Sequence, residues 1–124
     1  MPRLRLYYGS EMIRRVFRAV GLLVLVLAVP ASAIAQDAGP AVSAQDDQFI
    51  PATTSITSST LLTWQNDGVE EHTITADNGA FDSGDLDPGQ TFEFTFDSPG
   101  SYAYYCSIHG GPNGQGMAGV VVVS

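Results

Sequence analysis

Residues 91–106 read TFEFTFDSPGSYAYYC and predict two β-strands joined by a turn. Three phenylalanines occupy alternate positions in residues 91–96, so their rings fall on one face of an extended chain, while Thr and Glu fall on the other. Residues 98–100, Ser-Pro-Gly, are typical of a turn. Residues 101–106 contain three tyrosines, and aromatic residues are enriched in strands. The stretch therefore predicts extended structure with one apolar face.

Short strand patterns recur on both sides of this stretch. Residues 61–65 and 72–76 are apolar or β-branched and are followed by Asn-Asp-Gly and Asp-Asn-Gly turns, and residues 118–124 read AGVVVVS, typical of a buried strand. Residues 107–116 contain four glycines and one proline, which predicts an irregular loop. No helical period of apolar residues appears after residue 35. Seven or eight short strands with frequent turns predict an all-β sandwich.

The N-terminal segment differs in composition from the rest of the chain. Five arginines precede or border an apolar run over residues 19–29, a proline breaks the run, and small residues follow, which is the pattern of a secretory signal peptide. The run of 11 residues is shorter than the roughly 20 needed to span a bilayer. We expect cleavage after Ala33 or, preferably, Ala35. An uncleaved membrane anchor is the alternative.

The sequence thus predicts three segments: a signal peptide over 1–35, a flexible leader over 36–46, and one β-domain over 47–124. The leader is rich in Ala, Gly, Gln and Asp, which favours disorder. We expect an exported protein, periplasmic or extracellular, and membrane-associated if the N-terminal segment is not cleaved. Translation begins at Met1 or Met12, and Met12 would give a signal of ordinary length.

The charge is divided unevenly along the chain. All five Lys+Arg residues and one of the 13 Asp+Glu residues fall within residues 1–35, so the remaining chain carries 12 acids and no Lys or Arg. Such a surface repels nucleic acid, which excludes that class of partner. Two interpretations stay open: the acids steer a basic redox partner, or they serve solubility, as in proteins from salty environments.

A single cysteine, Cys106, cannot form an internal disulfide, so in an exported protein it is a free thiol, an intermolecular bridge or a metal ligand. His109 and Met117 follow it closely, and the only other histidine is His72. Two imidazoles and a thiolate with a weak axial thioether are the ligand set of a blue-copper site. The sequence therefore predicts one copper ion, cycling between Cu(I) and Cu(II), bound by these four residues.

Each of these residues also has an ordinary structural interpretation. Cys106 can be an inert buried thiol, His72 a core or surface histidine, and Met117 a core filler. Glu70 and Glu71, just before His72, are most simply solvated acids. The glycine-rich loop does not indicate a phosphate site, because it has no lysine and no following helix.

At this point the sequence resembles a known family, the plastocyanin/azurin (cupredoxin) family, over about residues 47–124. The resemblance rests on Phe49-Ile50-Pro51, Trp64-Gln65-Asn66-Asp67, His72-Thr73-Ile74-Thr75, Phe81-Asp82-Ser83-Gly84, Pro88-Gly89, Phe96, Pro99-Gly100-Ser101-Tyr102, Tyr104-Tyr105-Cys106-Ser107-Ile108-His109 and Gly116-Met117-Ala118-Gly119. It implies a Greek-key sandwich, type 1 copper and electron transfer, with His72, Cys106, His109 and Met117 as ligands. It also implies that His109 is the solvent-edge ligand through which electrons leave. The eight-residue step from His109 to Met117 is longer than in many members.

The preferred hypothesis for function is a one-electron carrier, monomeric, working between redox proteins such as a cytochrome or a membrane oxidoreductase, with no small-molecule substrate. The alternative is a copper protein for storage, delivery or tolerance, although the Met-rich or His-rich tracts typical of that class are absent from the sequence. A sandwich that has lost its metal is a third hypothesis. An enzyme would need further histidines and an open metal position, so we predict no catalytic activity.

Overall fold

The computed structural model describes residues 38–124, and every regular element within them is a β-strand. The eight strands are β1 (Ala41–Gln45), β2 (Gln48–Ile50), β3 (Thr53–Ile56), β4 (Thr60–Asn66), β5 (Thr75–Ala76), β6 (Thr91–Phe96), β7 (Gly100–Gly111) and β8 (Gln115–Val123). No helix among the described residues is long and apolar enough to cross a membrane. The predicted signal peptide lies outside the described residues.

The strands form two four-stranded sheets, ordered β2-β1-β4-β6 and β3-β8-β7-β5. Two neighbouring pairs, β1 with β4 and β3 with β8, are parallel, and the other pairs are antiparallel. The chain passes from one sheet to the other after β2, β3, β4, β5 and β6. The predicted all-β sandwich of seven to eight strands is confirmed, with eight.

An aromatic core fills the space between the sheets. Trp64 on β4 is fully buried, and its ring lies 5.5–6.3 Å from the rings of Phe81, Phe92, Phe96 and Tyr104. Burial raises the pKa of Tyr104 to about 12, because the phenolate would lose its hydration there. The alternating phenylalanines of β6 face this core as the sequence predicts: one is buried and two are partly buried against it.

The structure differs from the predicted flexible leader, because residues 41–45 form β1. Val42 and Ala44 point inward and are 1% and 0% exposed. Their strand pairs with β4 on one side and β2 on the other, so its backbone hydrogen bonds are made inside a sheet. The small side chains of this segment do not indicate a strand by themselves. The segment is ordered because it pairs with β4, which is distant in sequence.

The expectation of an irregular loop over residues 107–116 is wrong. Strand β7 continues to Gly111 and β8 begins at Gln115, so the segment is a β-hairpin whose turn contains Asn113 and Gly114, both at positive φ. A Cβ built on Gly110 would lie 2.5–2.8 Å from backbone atoms of the opposite strand. Glycine therefore allows the two strands to approach closely at this point. The glycine content of the segment had instead suggested that no strand pairing would occur here.

Candidate metal centre

His72 reaches the site from the loop that follows β4. Its backbone N–H donates to the carbonyl of Leu86 at 3.1 Å and its carbonyl accepts from the Leu86 N–H at 2.8 Å, which fixes the residue between two stretches of chain. The loop before it is held by Asn66, which is 1% exposed. The Asn66 amide donates to the carbonyls of Glu70 and Leu86, each at 2.8 Å, and its oxygen accepts from the Gly68 N–H at 2.9 Å.

Cys106 and His109 lie on the same strand, β7, and a register shift lets both reach the same point. Regular pairing with β8 holds as far as Tyr105 and resumes at Gly110, so the residues between them leave the ladder. Cys106 is fully buried, while the His109 side chain is 17% exposed. The irregularity turns the second imidazole back towards the thiol.

The three predicted in-plane ligands converge through one atom each. The Nδ1 atoms of His72 and His109 are 3.2 Å apart, and the Cys106 Sγ lies 3.8 Å from the first and 3.6 Å from the second. A point equidistant from the three atoms is about 2.1 Å from each, near the ~2.0–2.3 Å at which imidazole nitrogen and thiolate sulfur bind a first-row metal ion such as zinc. The cluster therefore has the dimensions of a metal site.

The outer nitrogens of both imidazoles face carboxylates. The His72 Nε2 lies 3.3 Å from Asp46 Oδ1, and the His109 Nε2 lies 2.9 Å from Glu70 Oε2. Because a carboxylate accepts hydrogen bonds, these contacts assign the proton of a neutral imidazole to Nε2 and leave Nδ1 with its electron pair towards the centre. Three electron-pair donors so close together repel one another unless a cation lies between them, and this donor set suits copper.

The Asp46 carboxyl is held in its ionised form. Partial burial opposes ionisation, but hydrogen bonds from the backbone N–H groups of Glu70 and Val69, together with the His72 ring, lower its pKa below the ordinary value. Sequence reasoning missed this residue, since it assigned Asp46 to the leader, and it interpreted Glu70 as a solvated acid. No local motif marks either contact, because both depend on strands distant in sequence.

Thr73 connects the two halves of the site. Its backbone N–H points at the Cys106 Sγ, 3.4 Å away. Its hydroxyl oxygen accepts the Ser107 N–H at 2.8 Å, so the residue that follows His72 is hydrogen-bonded to the residue that follows Cys106. Hydrogen bonding to a copper-bound cysteine sulfur is one of the factors that tune the potential of blue-copper sites.

Met117 is 1% exposed and lies on β8, opposite the end of β7. Gly110 pairs with Gly116, which places the Met117 backbone beside the residue that follows His109. The long step between His109 and Met117 is thus taken up by the hairpin turn. Met117, the fourth predicted ligand, therefore lies on the strand next to β7, which carries Cys106 and His109.

Comparison with known proteins agrees with this architecture. A family model described as a cupredoxin-like domain matches residues 17–123. Chloroplastic plastocyanin of Tetradesmus obliquus is 30% identical over 126 residues, covering 93% of this chain and 85% of that protein. The chain belongs to the plastocyanin/azurin family of cupredoxins. The family binds one copper ion, and the His72, Cys106 and His109 group of this cupredoxin fits a type 1 site.

Solved structures extend the likeness. A purple cupredoxin from Nitrosopumilus maritimus is 31% identical to this cupredoxin with a TM-score of 0.60, over 68% of this chain and 99% of that one. A Cu-containing nitrite reductase (NirK) from Thermus scotoductus SA-01 is 24% identical with a TM-score of 0.61, over 69% of this chain and 22% of that one. The second likeness shows the fold alone.

Proposed function

We propose that this cupredoxin is an exported one-electron carrier whose copper would be held by His72, Cys106, His109 and Met117. The observation that carries the proposal is the convergence of two Nδ1 atoms and one Sγ on a point about 2.1 Å from each. Bound copper would supply the one-electron couple between Cu(I) and Cu(II).

The surroundings of the three donors suit electron transfer better than catalysis. His72 and Cys106 are both 0% exposed, and the hydrogen bonds of Asn66, Thr73 and Leu86 hold the loop that carries the first imidazole. Donors fixed in this way change position little when the charge of the metal changes. Four protein ligands also leave no open position for a substrate, so we expect no turnover with nitrite or phenols.

Electrons would pass through His109, the one partly exposed imidazole. Beside it Ile108 is 47% exposed, and Val69, next to the Glu70 that contacts the His109 ring, is 83% exposed. Asp47 and Glu70 carboxylates gather near the outer nitrogen of the ring. A small apolar contact bordered by acids fits a redox protein with a basic rim, such as a cytochrome or a membrane oxidoreductase, meeting a monomer of this cupredoxin.

The N-terminal pattern supports export of the carrier to the periplasm or to the outside of the cell. The mass of the protein recovered from producing cells tests this step. Loss of residues 1–35 supports cleavage after Ala35, whereas retention of the whole segment in the membrane fraction supports the anchored form.

The decisive test is to add one equivalent of Cu(II) to the purified protein and record the visible and EPR spectra together. Intense thiolate-to-copper absorption with a small copper hyperfine splitting is expected, and both should vanish in Cys106→Ser. A pale solution with ordinary copper EPR would contradict the proposal and favour the storage or structural hypotheses.

A further inference from the structure

The Asp46 side chain is hydrogen-bonded to the loop that carries His72. Asp46 lies at the turn between β1 and β2. Its Oδ1 accepts the backbone N–H of Val69 at 3.1 Å and that of Glu70 at 3.2 Å, and it faces the His72 Nε2 at 3.3 Å. One carboxylate oxygen therefore contacts two backbone N–H groups and one ring nitrogen of the loop that ends at His72.

The position of this oxygen leaves no room for a side chain at residue 68, which is glycine. A Cβ built on Gly68 would overlap Asp46 Oδ1 and would lie 3.0 Å from the His72 Nε2. Gly68 has no positive φ, so its backbone does not by itself demand glycine. The space that a side chain would fill is occupied by the contact between the carboxylate and the imidazole.

We propose that Asp46 is a positioning residue for the copper site, holding the His72 ring in the tautomer and orientation that aim Nδ1 at Cys106 and His109. The proposal rests on the proposed copper function. Acceptance of the Nε2 proton leaves only Nδ1 to bind the metal, and the two backbone hydrogen bonds fix the loop on which the ring is carried. Outer carboxylates of this kind orient metal-bound histidines and raise their basicity.

Substitutions separate the hydrogen bond from the charge. Asp46→Asn keeps Oδ1, which contacts Val69, Glu70 and the His72 ring, and removes the charge together with the 3.3 Å contact between Oδ2 and the Val69 N–H. Asp46→Ala removes both. Asp67→Asn is a matched control, because Asp67 is an exposed acid of the same loop whose carboxylate accepts from Ser43 and has no histidine contact. Gly68→Ala displaces the carboxylate without changing any charge, with Gly39→Ala as its control.

The test compares copper affinity and the state of the His72 ring in the full-length chain. Affinity for Cu(II) is measured by competition with a chelator, the site by its visible and EPR spectra, and the Nε2–H by 15N NMR of the diamagnetic Cu(I) form. Asp46→Ala and Gly68→Ala should weaken copper binding about 10–100-fold and lose the protected Nε2–H signal. Asp46→Asn should retain the signal and bind more tightly than Asp46→Ala. The two control variants should stay within about twofold of wild type.

Equal affinity and an equal Nε2–H signal in wild type and Asp46→Ala would overturn the proposal. So would an Asp46→Asn variant as impaired as Asp46→Ala, since charge rather than position would then be responsible. If Asp46→Ala does not fold, Asp46→Asn and Gly68→Ala decide by the same readouts. Failure of the wild type to show thiolate-bonded copper would instead refute the copper function itself, which is a separate outcome.

Discussion

Replacing Gly110 by alanine probes the hairpin that carries Cys106, His109 and Met117. The new Cβ would lie 2.5 Å from the Gln115 carbonyl oxygen and 2.7–2.8 Å from the N and O atoms of Met117. All three are backbone atoms, so the strands must separate by several tenths of an ångström rather than a side chain moving aside. Overpacking of this kind costs about 1–3 kcal/mol. For a domain of this size that is a fall in Tm of about 5–20 °C.

Gly111→Ala is the matched control for this prediction. A Cβ at Gly111 meets only the Gln115 side chain, at 3.9–4.0 Å, and neither glycine has a positive φ. We expect Gly111→Ala to melt within a few degrees of wild type with an unchanged copper spectrum. Gly110→Ala should melt lower and show an altered EPR spectrum, because Met117 moves with the strand. Calorimetry and EPR showing the two variants alike would refute the close strand contact.

Three further predictions concern the core, the ligand loop and the surface. Burial raises the pKa of Tyr104 to about 12 in the folded state against 10.0 in the unfolded chain, so its contribution to the free energy of unfolding falls by about 2 kcal/mol as pH rises from 10 to 12. Denaturant titrations should show a smaller loss of unfolding free energy over that range in Tyr104→Phe than in wild type. Asn66→Ala should lower the free energy of unfolding by about 2–4 kcal/mol, because two carbonyls and one N–H lose a buried partner. The control Asn78→Ala removes one exposed hydrogen bond and should lower it by less than about 1 kcal/mol in the same denaturant titration. Glu70→Gln should slow stopped-flow electron transfer to a basic partner at low salt more than Glu93→Gln, which removes the same charge from β6; equal slowing would mean that only net charge matters.

The sequence predicts best where a local pattern and the tertiary structure agree. The alternation in residues 91–96 predicts a strand, and β6 spans Thr91–Phe96. The valine-rich end of the chain predicts a buried strand and becomes β8. Both strands can be recognised from sequence because the sandwich buries their apolar side chains, and burial requires the apolar residues to alternate or to cluster along the chain.

The predictions that were wrong concern segments whose structure depends on pairing with strands distant in sequence. Val42 and Ala44 are too few and too small to indicate a strand, yet β4 orders them as β1. Glycine composition suggested an irregular loop where Gly110 and Gly116 allow a close hairpin. The residue types of the metal site were readable from the sequence, whereas the contacts of Asp46 with His72 and of Thr73 with Cys106 depend on how separate strands meet.

Three of the four proposed ligands lie within 12 consecutive residues, 106–117, at the end of one hairpin. The remaining ligand and its supports belong to the body of the sandwich. A change in the length of the turn around Asn113 and Gly114 would therefore shift Met117 relative to His109 while the strands of the other sheet stay in place. The turn is thus the place where a change in sequence would alter the redox character of the site with the least effect on the packing of the core.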